Sequence, residues 1–378
     1  MTTLNLHART AAPACGVDVF SDDKTPMQYK SRTQDGLFDR QRVYFTKRFG
    51  DAPEQVPVIA NRYRIIGVPI CGWNRRLRIL VRLLGLENVI AIESVESQQD
   101  SIGWVLKDNS LGKRFGFTHL RDFYAFTDPD FKGKGTSPAV IDEQTGKVVT
   151  NNYHTLPADL EIAWKQFHKP GAPDLYPAGL RSAIDLLNQQ LFDDVNNNTY
   201  KILFANNDDA AQRAYNVFAA RLDDYDYRLK SRRYLFGPKL TDSDIRLFQT
   251  LEAYETMYRP GIARRLGDNN VLHVWDYPNL WDYARDLYAT PGFIDDEEKY
   301  EFGFIPDADG KYSRFATGKG EETGPFSGQT TAGTTDYLAR WTEPVDRTSL
   351  TGDVRYSGPG TAGLEEYWQF GEHHYPAL

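Results

Sequence analysis

Residues 61–95 read NRYRIIGVPICGWNRRLRILVRLLGLENVIAIESV, and the order of patterns in this stretch decides the fold. Tyr63 to Val68 is a short apolar run bounded by polar residues, which predicts a strand, and Pro69 to Trp73 predicts a turn. From Asn74 to Leu84 the period changes. Leu77, Leu80, Val81 and Leu84 fall at i, i+3, i+4 and i+7, one stripe of a helix, and Gly85 supplies its C-terminal stop. Val89 to Ile92 predicts a second strand. Strand, helix and strand within about thirty residues form a βαβ unit, whose right-handed crossover lays the two strands parallel.

Further along, Ala139-Val140-Ile141 and Lys147-Val148-Val149 flank a Gly-containing loop, Asp142 to Gly146, and predict a β-hairpin that makes the sheet mixed. After Pro173 the strand signal ends. Helical stretches run over about 178–195, 208–230, 242–258 and 279–288, an all-helical region. Thr241 and Asp244 have capping-box spacing, with Leu240 and Ile245 placed as a hydrophobic staple. The expected organisation is an N-terminal extension over 1–57, an α/β domain over 58–165, an all-α domain over 170–302 and an extended tail over 303–378, laid on the helical domain. The tail's isolated aromatics include Phe315, Phe326, Tyr337 and Trp341.

The chain of 378 residues carries 44 Lys and Arg against 52 Asp and Glu, a net charge of -8 with no clustered basic face, which argues against a nucleic-acid partner. Its two cysteines, Cys15 and Cys71, sit in unlike surroundings, which excludes a disulfide framework and a Cys-based zinc site and points to a reducing compartment. The first twenty residues lack an apolar signal core and no eighteen apolar residues run together, so the expectation is a cytoplasmic chain without a membrane partner. His373-His374 reads as solvated tail, and no metal is expected.

Cys71 lies where the first strand gives way to the first helix. Unpaired N–H groups and the positive end of the helix dipole favour a thiolate there and depress its pKa from roughly 8.5. Arg75 and Arg76, in the same turn, would add positive potential. The other reading of such a residue is a small buried apolar side chain.

Residues 61–95, GTSPAVIDEQTGKVVTNN over 135–152, GPKLTDSDIRLFQTLEAYE over 237–255 and DYPNLWDYARDLY over 276–288 together resemble the Xi class of glutathione transferases, the glutathionyl-hydroquinone reductases. The resemblance spans about Arg62 to Gly292 and implies a thioredoxin-like N-terminal domain, an all-α C-terminal domain and a homodimer. It also implies a chemistry. A cysteine attacks the sulfur of a thioether-linked quinol, releases the hydroquinone, and is cleared by a second thiol through thiol–disulfide exchange.

Carried over by position, Cys71 matches the family's nucleophile; the motif Cys-Pro-Trp-Ala-His-Arg reads Cys-Gly-Trp-Asn-Arg-Arg here, with Trp73 and Arg76 retained. Trp104 falls at a thiol-binding tryptophan, though a core aromatic is an equal reading. Pro138 matches the thioredoxin-fold cis proline, with Ser137 placed to pair with a ligand backbone. Lys134 stands for a ligand-contacting arginine and gives up its planar fork. Tyr200, in Asn197-Asn198-Thr199-Tyr200, matches a tyrosine of the quinol pocket. A second such tyrosine, expected from a His-Tyr-Tyr stretch, has no clear counterpart around Tyr300.

The largest departure follows the hairpin. The family's Asn-Asn-Glu-Ser, whose last two residues hold the γ-glutamyl group of glutathione, is Asn151-Asn152-Tyr153-His154 here. Losing charge-assisted bonds of roughly 1.5 to 3 kcal/mol each weakens glutathione. A sugar-bearing thiol such as mycothiol offers hydroxyls that Tyr153 and His154 can meet. The small-molecule partners implied are therefore glutathione or another low-molecular-weight thiol, and an aromatic quinol. Two other functions fit the same pattern: a conjugating or peroxide-reducing transferase, and a non-catalytic dimeric binding module.

Overall fold

The computed structural model describes residues 33–69, 71–96, 100–295, 298 and 339–355, and the backbone of 304–306, 312–314, 368–369 and 372–373. Cys15, Tyr300, Phe315, Phe326, Tyr337 and His374 lie outside the described residues, as do most of the N-terminal extension and most of the C-terminal tail. The chain forms two compact units, one over Phe38–Ala172 and one over Gln34–Leu37 with Pro173 onward.

In the first unit β1 (Tyr63–Gly67) is central. It pairs in parallel with β2 (Ala91–Ser94), Arg64 opposite Ala91, and antiparallel with β3 (Ala139–Asp142), Ile66 opposite Ala139. A hairpin from β3 to β4 (Lys147–Thr150) completes the order β2-β1-β3-β4. The crossover helix α1 (Gly72–Leu84) is capped by Cys71 at its start and by left-handed Gly85, φ 76°, at its end. Leu77, Leu80, Val81 and Leu84 are all buried, as their spacing requires. β2 begins two residues after the expected start, because the N–H groups of Val89 and Ile90 both close turns onto the Leu86 carbonyl.

Side-chain alternation along β1 divides the core. Ile66 joins Ile141, Val148 and the inward residues Phe123 and Tyr124 of α2 (Leu120–Thr127). Tyr63 instead packs edge-on against Phe49 at 5.0 Å and Trp164 at 6.0 Å. Phe49 belongs to the segment read as an extension, and here the structure differs from that reading. Residues 38–57 are built into the first unit. Phe38 and Phe49 are buried, Thr46 bridges Thr150, and Arg48 pairs with Asp159 of α3 (Leu156–Ile162) at 2.6 Å. The segment's polar composition hid this, because it is held by hydrogen bonds to side chains more than by a periodic apolar stripe.

Asn151 is the main fastener. Its Oδ1 accepts from the N–H groups of Tyr44 (3.1 Å) and Phe45 (2.8 Å), and its Nδ2 donates to Thr136 Oγ1 at 2.8 Å. Asn151→Ala is therefore expected to cost about 2 kcal/mol, since it orphans buried donors as well as removing bonds. Hydrogen exchange should quicken in residues 42–46; unchanged protection there would contradict this role.

The second unit is helical: α4 (Arg181–Leu191), α5 (Asn198–Phe204), α6 (Asp208–Leu229), α7 (Asp242–Ala253), α8 (Arg259–Leu266) and α9 (Pro278–Ala289). The stretches read as single helices over 178–195 and 242–258 are each interrupted by a π turn, at Phe192–Asn196 and Tyr254–Tyr258. The second turn lies directly before α8, whose second residue, Pro260, sits where its missing N–H costs little. Arg221, fully buried, pairs with Asp194 and Asp224 at 2.8 Å each and ties α6 to the first π turn. The described tail residues belong to this unit: Trp341 is buried against Phe248, Trp281 and Tyr288, and Arg347 donates to the carbonyls of Leu229 and Arg232.

Candidate active site

The strand-to-helix junction places Cys71 as the N-cap of α1, half-buried, with extended backbone at φ -76° and ψ 116°. Its carbonyl already accepts from the N–H groups of Asn74 and Arg75, so the helix starts tightly on it. Gly67 makes room for this start: a Cβ there would lie 2.2 Å from Asn74 Oδ1, whose amide donates to the Val68 carbonyl.

Facing the cysteine is the Ser137-Pro138 peptide, which is cis. The Cys71 thiol donates to the Ser137 carbonyl oxygen at 3.7 Å, while Ser137 Oγ accepts from the Val68 N–H at 2.8 Å. The loop before it is held by Tyr124, whose hydroxyl donates to the Thr136 carbonyl at 2.7 Å.

Burial pushes the Cys71 thiol up, against the downward pull of the Asn74 N–H, the Ser137 hydroxyl, the Trp73 N–H and the Arg40 guanidinium. This corrects the expected depression of the thiol pKa. The helix N-terminus acts as foreseen, but loss of solvent outweighs it. The source of positive charge also differs from expectation. Arg75 and Arg76 are buried in α1, Arg76 donating to the Tyr153 carbonyl at 3.3 Å, and the Arg40 guanidinium adds a pull on the thiol weaker than that of the hydrogen-bond donors around it.

Trp73 and Tyr153 stack with centroids 4.8 Å apart and planes 28° from parallel, and the His154 ring lies tilted against Tyr153, 4.3 Å away. Tyr153 is buried, an aromatic wall more than an exposed polar contact; His154 is half-buried. Trp104 packs against the same core cluster as Cys71, and its carbonyl accepts from the Leu120 N–H. Lys134 is held through its backbone, its N–H donating to Gln41 Oε1 at 2.9 Å and its carbonyl accepting from Gln41 Nε2 at 3.2 Å. The first unit thus gathers Cys71, Trp73, Ser137, Pro138, Tyr153 and His154. Tyr200 lies on α5 of the second unit, its ring 6.0 Å from Phe204 and 5.9 Å from Tyr258. Among the described residues no group of three His, Cys, Asp or Glu could hold a metal ion, and no helix is long and apolar enough to cross a membrane.

With that sheet carrying the cysteine and an all-helical unit following it in the chain, the molecule is a glutathione transferase by fold. No family model matches the chain. It is 30% identical over 239 residues to the glutathionyl-hydroquinone reductase YqjG of Escherichia coli, covering 62% of this chain and 71% of that one. A glutathione transferase from Gordonia bronchialis superposes with a TM-score of 0.59 at 37% identity, over 64% of this chain and 74% of that one. The Xi glutathione transferase from Phanerochaete chrysosporium gives 0.62 at 29% identity, over 72% and 90%. The chain belongs to the family of Xi-class glutathione transferases and glutathionyl-hydroquinone reductases, and it is an enzyme of that kind.

Proposed function

We propose that the enzyme removes a thiol adduct from a quinol-type aromatic substrate, with Cys71 as nucleophile. The Cys71 thiolate attacks the sulfur of the aryl thioether. A sulfur–sulfur bond forms, the aryl carbon–sulfur bond breaks, and its electron pair leaves on the ring carbon, which takes up a proton to give the free hydroquinone. A second low-molecular-weight thiolate then attacks the mixed disulfide, regenerates Cys71 and leaves as the disulfide of the two small thiols. Atoms and electrons balance: one thiol and one conjugate give one hydroquinone and one disulfide.

The observation that carries this reading is the placement of the sulfur. Cys71 is the N-cap residue of α1, its thiol faces the cis Ser137-Pro138 peptide, and the N–H groups of Asn74 and Trp73 can donate to the developing thiolate. Ser137, Pro138 and Trp104 would line the thiol's path, Lys134 would add charge, and Tyr200 would bond a phenolic oxygen of the acceptor. The reducing chemistry suits a cytoplasmic enzyme, and we read the working form as a homodimer.

The thiol is the finer question. Where relatives of the Xi pattern carry Glu-Ser, this chain has Tyr153, buried on Trp73, and half-buried His154, so the carboxylate and hydroxyl that would hold a γ-glutamyl group are missing. That supports a sugar-bearing thiol such as mycothiol over glutathione. In a panel of hydroquinone conjugates and matching free thiols, mycothiol should give a kcat/KM at least about tenfold above glutathione, the equivalent of one lost charge-assisted bond. Equal or better turnover with glutathione would overturn the thiol assignment and leave the reaction class intact.

A further inference from the structure

We infer that Arg40, from the segment preceding the sheet, is a positioning residue for the reaction, holding a positive charge at the Cys71 sulfur from a seat on Trp73. This rests on the reading of Cys71 as nucleophile.

The guanidinium carbon of Arg40 lies 5.5 Å from the centre of the Trp73 ring and 5.3 Å from that of Phe38, both within cation–π range. Trp73 is itself packed against Tyr153, which in turn touches His154, so the ring under the cation is held in place. Trp73 lies in the first turn of α1, so the cation is seated at the end of the helix that Cys71 begins.

The strap that carries Arg40 is pinned on both sides. Gln41 exchanges two hydrogen bonds with the backbone of Lys134, three residues before Ser137. Tyr44 and Phe45 donate to Asn151, whose amide donates to Thr136. The same loop that faces the thiol therefore fixes the segment that presents the cation. The seat favours arginine, because a planar guanidinium can lie over indole while keeping its charge, and a lysine ammonium loses the stacking but keeps the charge. The burial that penalises the thiolate gives the cation its purpose, and its charge already pulls the thiol down against that burial.

The test reads the sulfur directly. In a Cys15→Ser background, Cys71 alkylation by iodoacetamide is followed across pH by intact mass, for the parent, Arg40→Gln, Arg40→Lys and Arg40→Glu. Arg40→Gln should move the midpoint upward by about one pH unit and slow alkylation near neutrality about tenfold, with Arg40→Glu moving it further and Arg40→Lys restoring most of the shift. Added salt should shrink the difference between parent and Arg40→Gln. Superimposable profiles for the parent and Arg40→Gln would overturn the inference, and so would an Arg40→Lys profile matching Arg40→Gln, which would mean packing and not charge. The readout does not depend on turnover. If Cys71→Ser kept full activity, the nucleophile reading would fall while the Arg40 effect on the sulfur stood.

Discussion

Cys71→Ser is expected to lower reductase turnover by about three orders of magnitude or more, while leaving the fold as stable as before. The two halves of this result come from different links. Serine is nearly isosteric and is a better N-cap than cysteine, so α1 keeps its start and the Asn74 and Arg75 N–H groups keep their acceptor on the residue-71 carbonyl. The chemistry has no substitute, because the first step makes a sulfur–sulfur bond that an oxygen nucleophile cannot make. Steady-state rates with a thiol-conjugated hydroquinone, set beside thermal melts of both proteins, check it. A conjugating or peroxide-reducing enzyme would retain product formation in the variant, and a binding module would show none in either protein.

Asp244→Ala is expected to cost about 4 kcal/mol, a large share of the roughly 5 to 15 kcal/mol that holds a domain together. Asp244 is fully buried at the start of α7. It accepts from the N–H groups of Leu235 (2.9 Å) and Thr241 (2.7 Å) and from the hydroxyls of Thr241 (2.9 Å) and Tyr283 (3.0 Å). Alanine would remove the capping box and leave these donors without their acceptor, in a place water does not reach.

The effect also has a pH signature. Burial pushes the Asp244 carboxyl up to about 6, against the pull of those four donors. In the unfolded chain it titrates near about 3.9. The folded state therefore holds the proton more tightly, so this group's contribution is fully present below the unfolded value and is lost as pH rises through about 6. The cost of Asp244→Ala should accordingly be larger at about pH 5 than at about pH 7.5, by about 1 kcal/mol. Urea unfolding of both proteins at the two pH values reads this difference. A cost below about 1 kcal/mol, or one that grows with pH, would contradict the role given to this carboxyl.

The features that proved legible in the sequence share a physical basis: they are local. The change from strand to helix period around Cys71, the Gly85 stop and the Thr241/Asp244 box are each written within a few residues, and each appears in place. The π turns at 192–196 and 254–258 were not legible, since one extra residue per turn barely disturbs a helical pattern over a short window. The site followed the same division. Cys71 could be placed from its neighbours and the cis Pro138 from the family resemblance, but Arg40 could not. Arg40 reaches Trp73 across 33 positions of sequence, and its own surroundings, Phe38-Asp39-Arg40-Gln41, look like any polar segment. Tyr153 shows the same limit: its chemistry suggested an exposed hydroxyl, and its ring turned out to be buried on Trp73. Desolvation of the thiol is a property of everything packed around it, so a helix N-terminus read from sequence gives only the favourable half of its energetics.

The central claim is that Cys71 takes the thiol from the substrate as a mixed disulfide. It is tested most directly by quenching the enzyme in acid during turnover of a thiol-conjugated hydroquinone with the second thiol withheld, then mapping the mass by peptide. One small thiol per chain, on the peptide containing Cys71, is the expected result. Release of hydroquinone with no adduct, or with the adduct confined to Cys15, would contradict it.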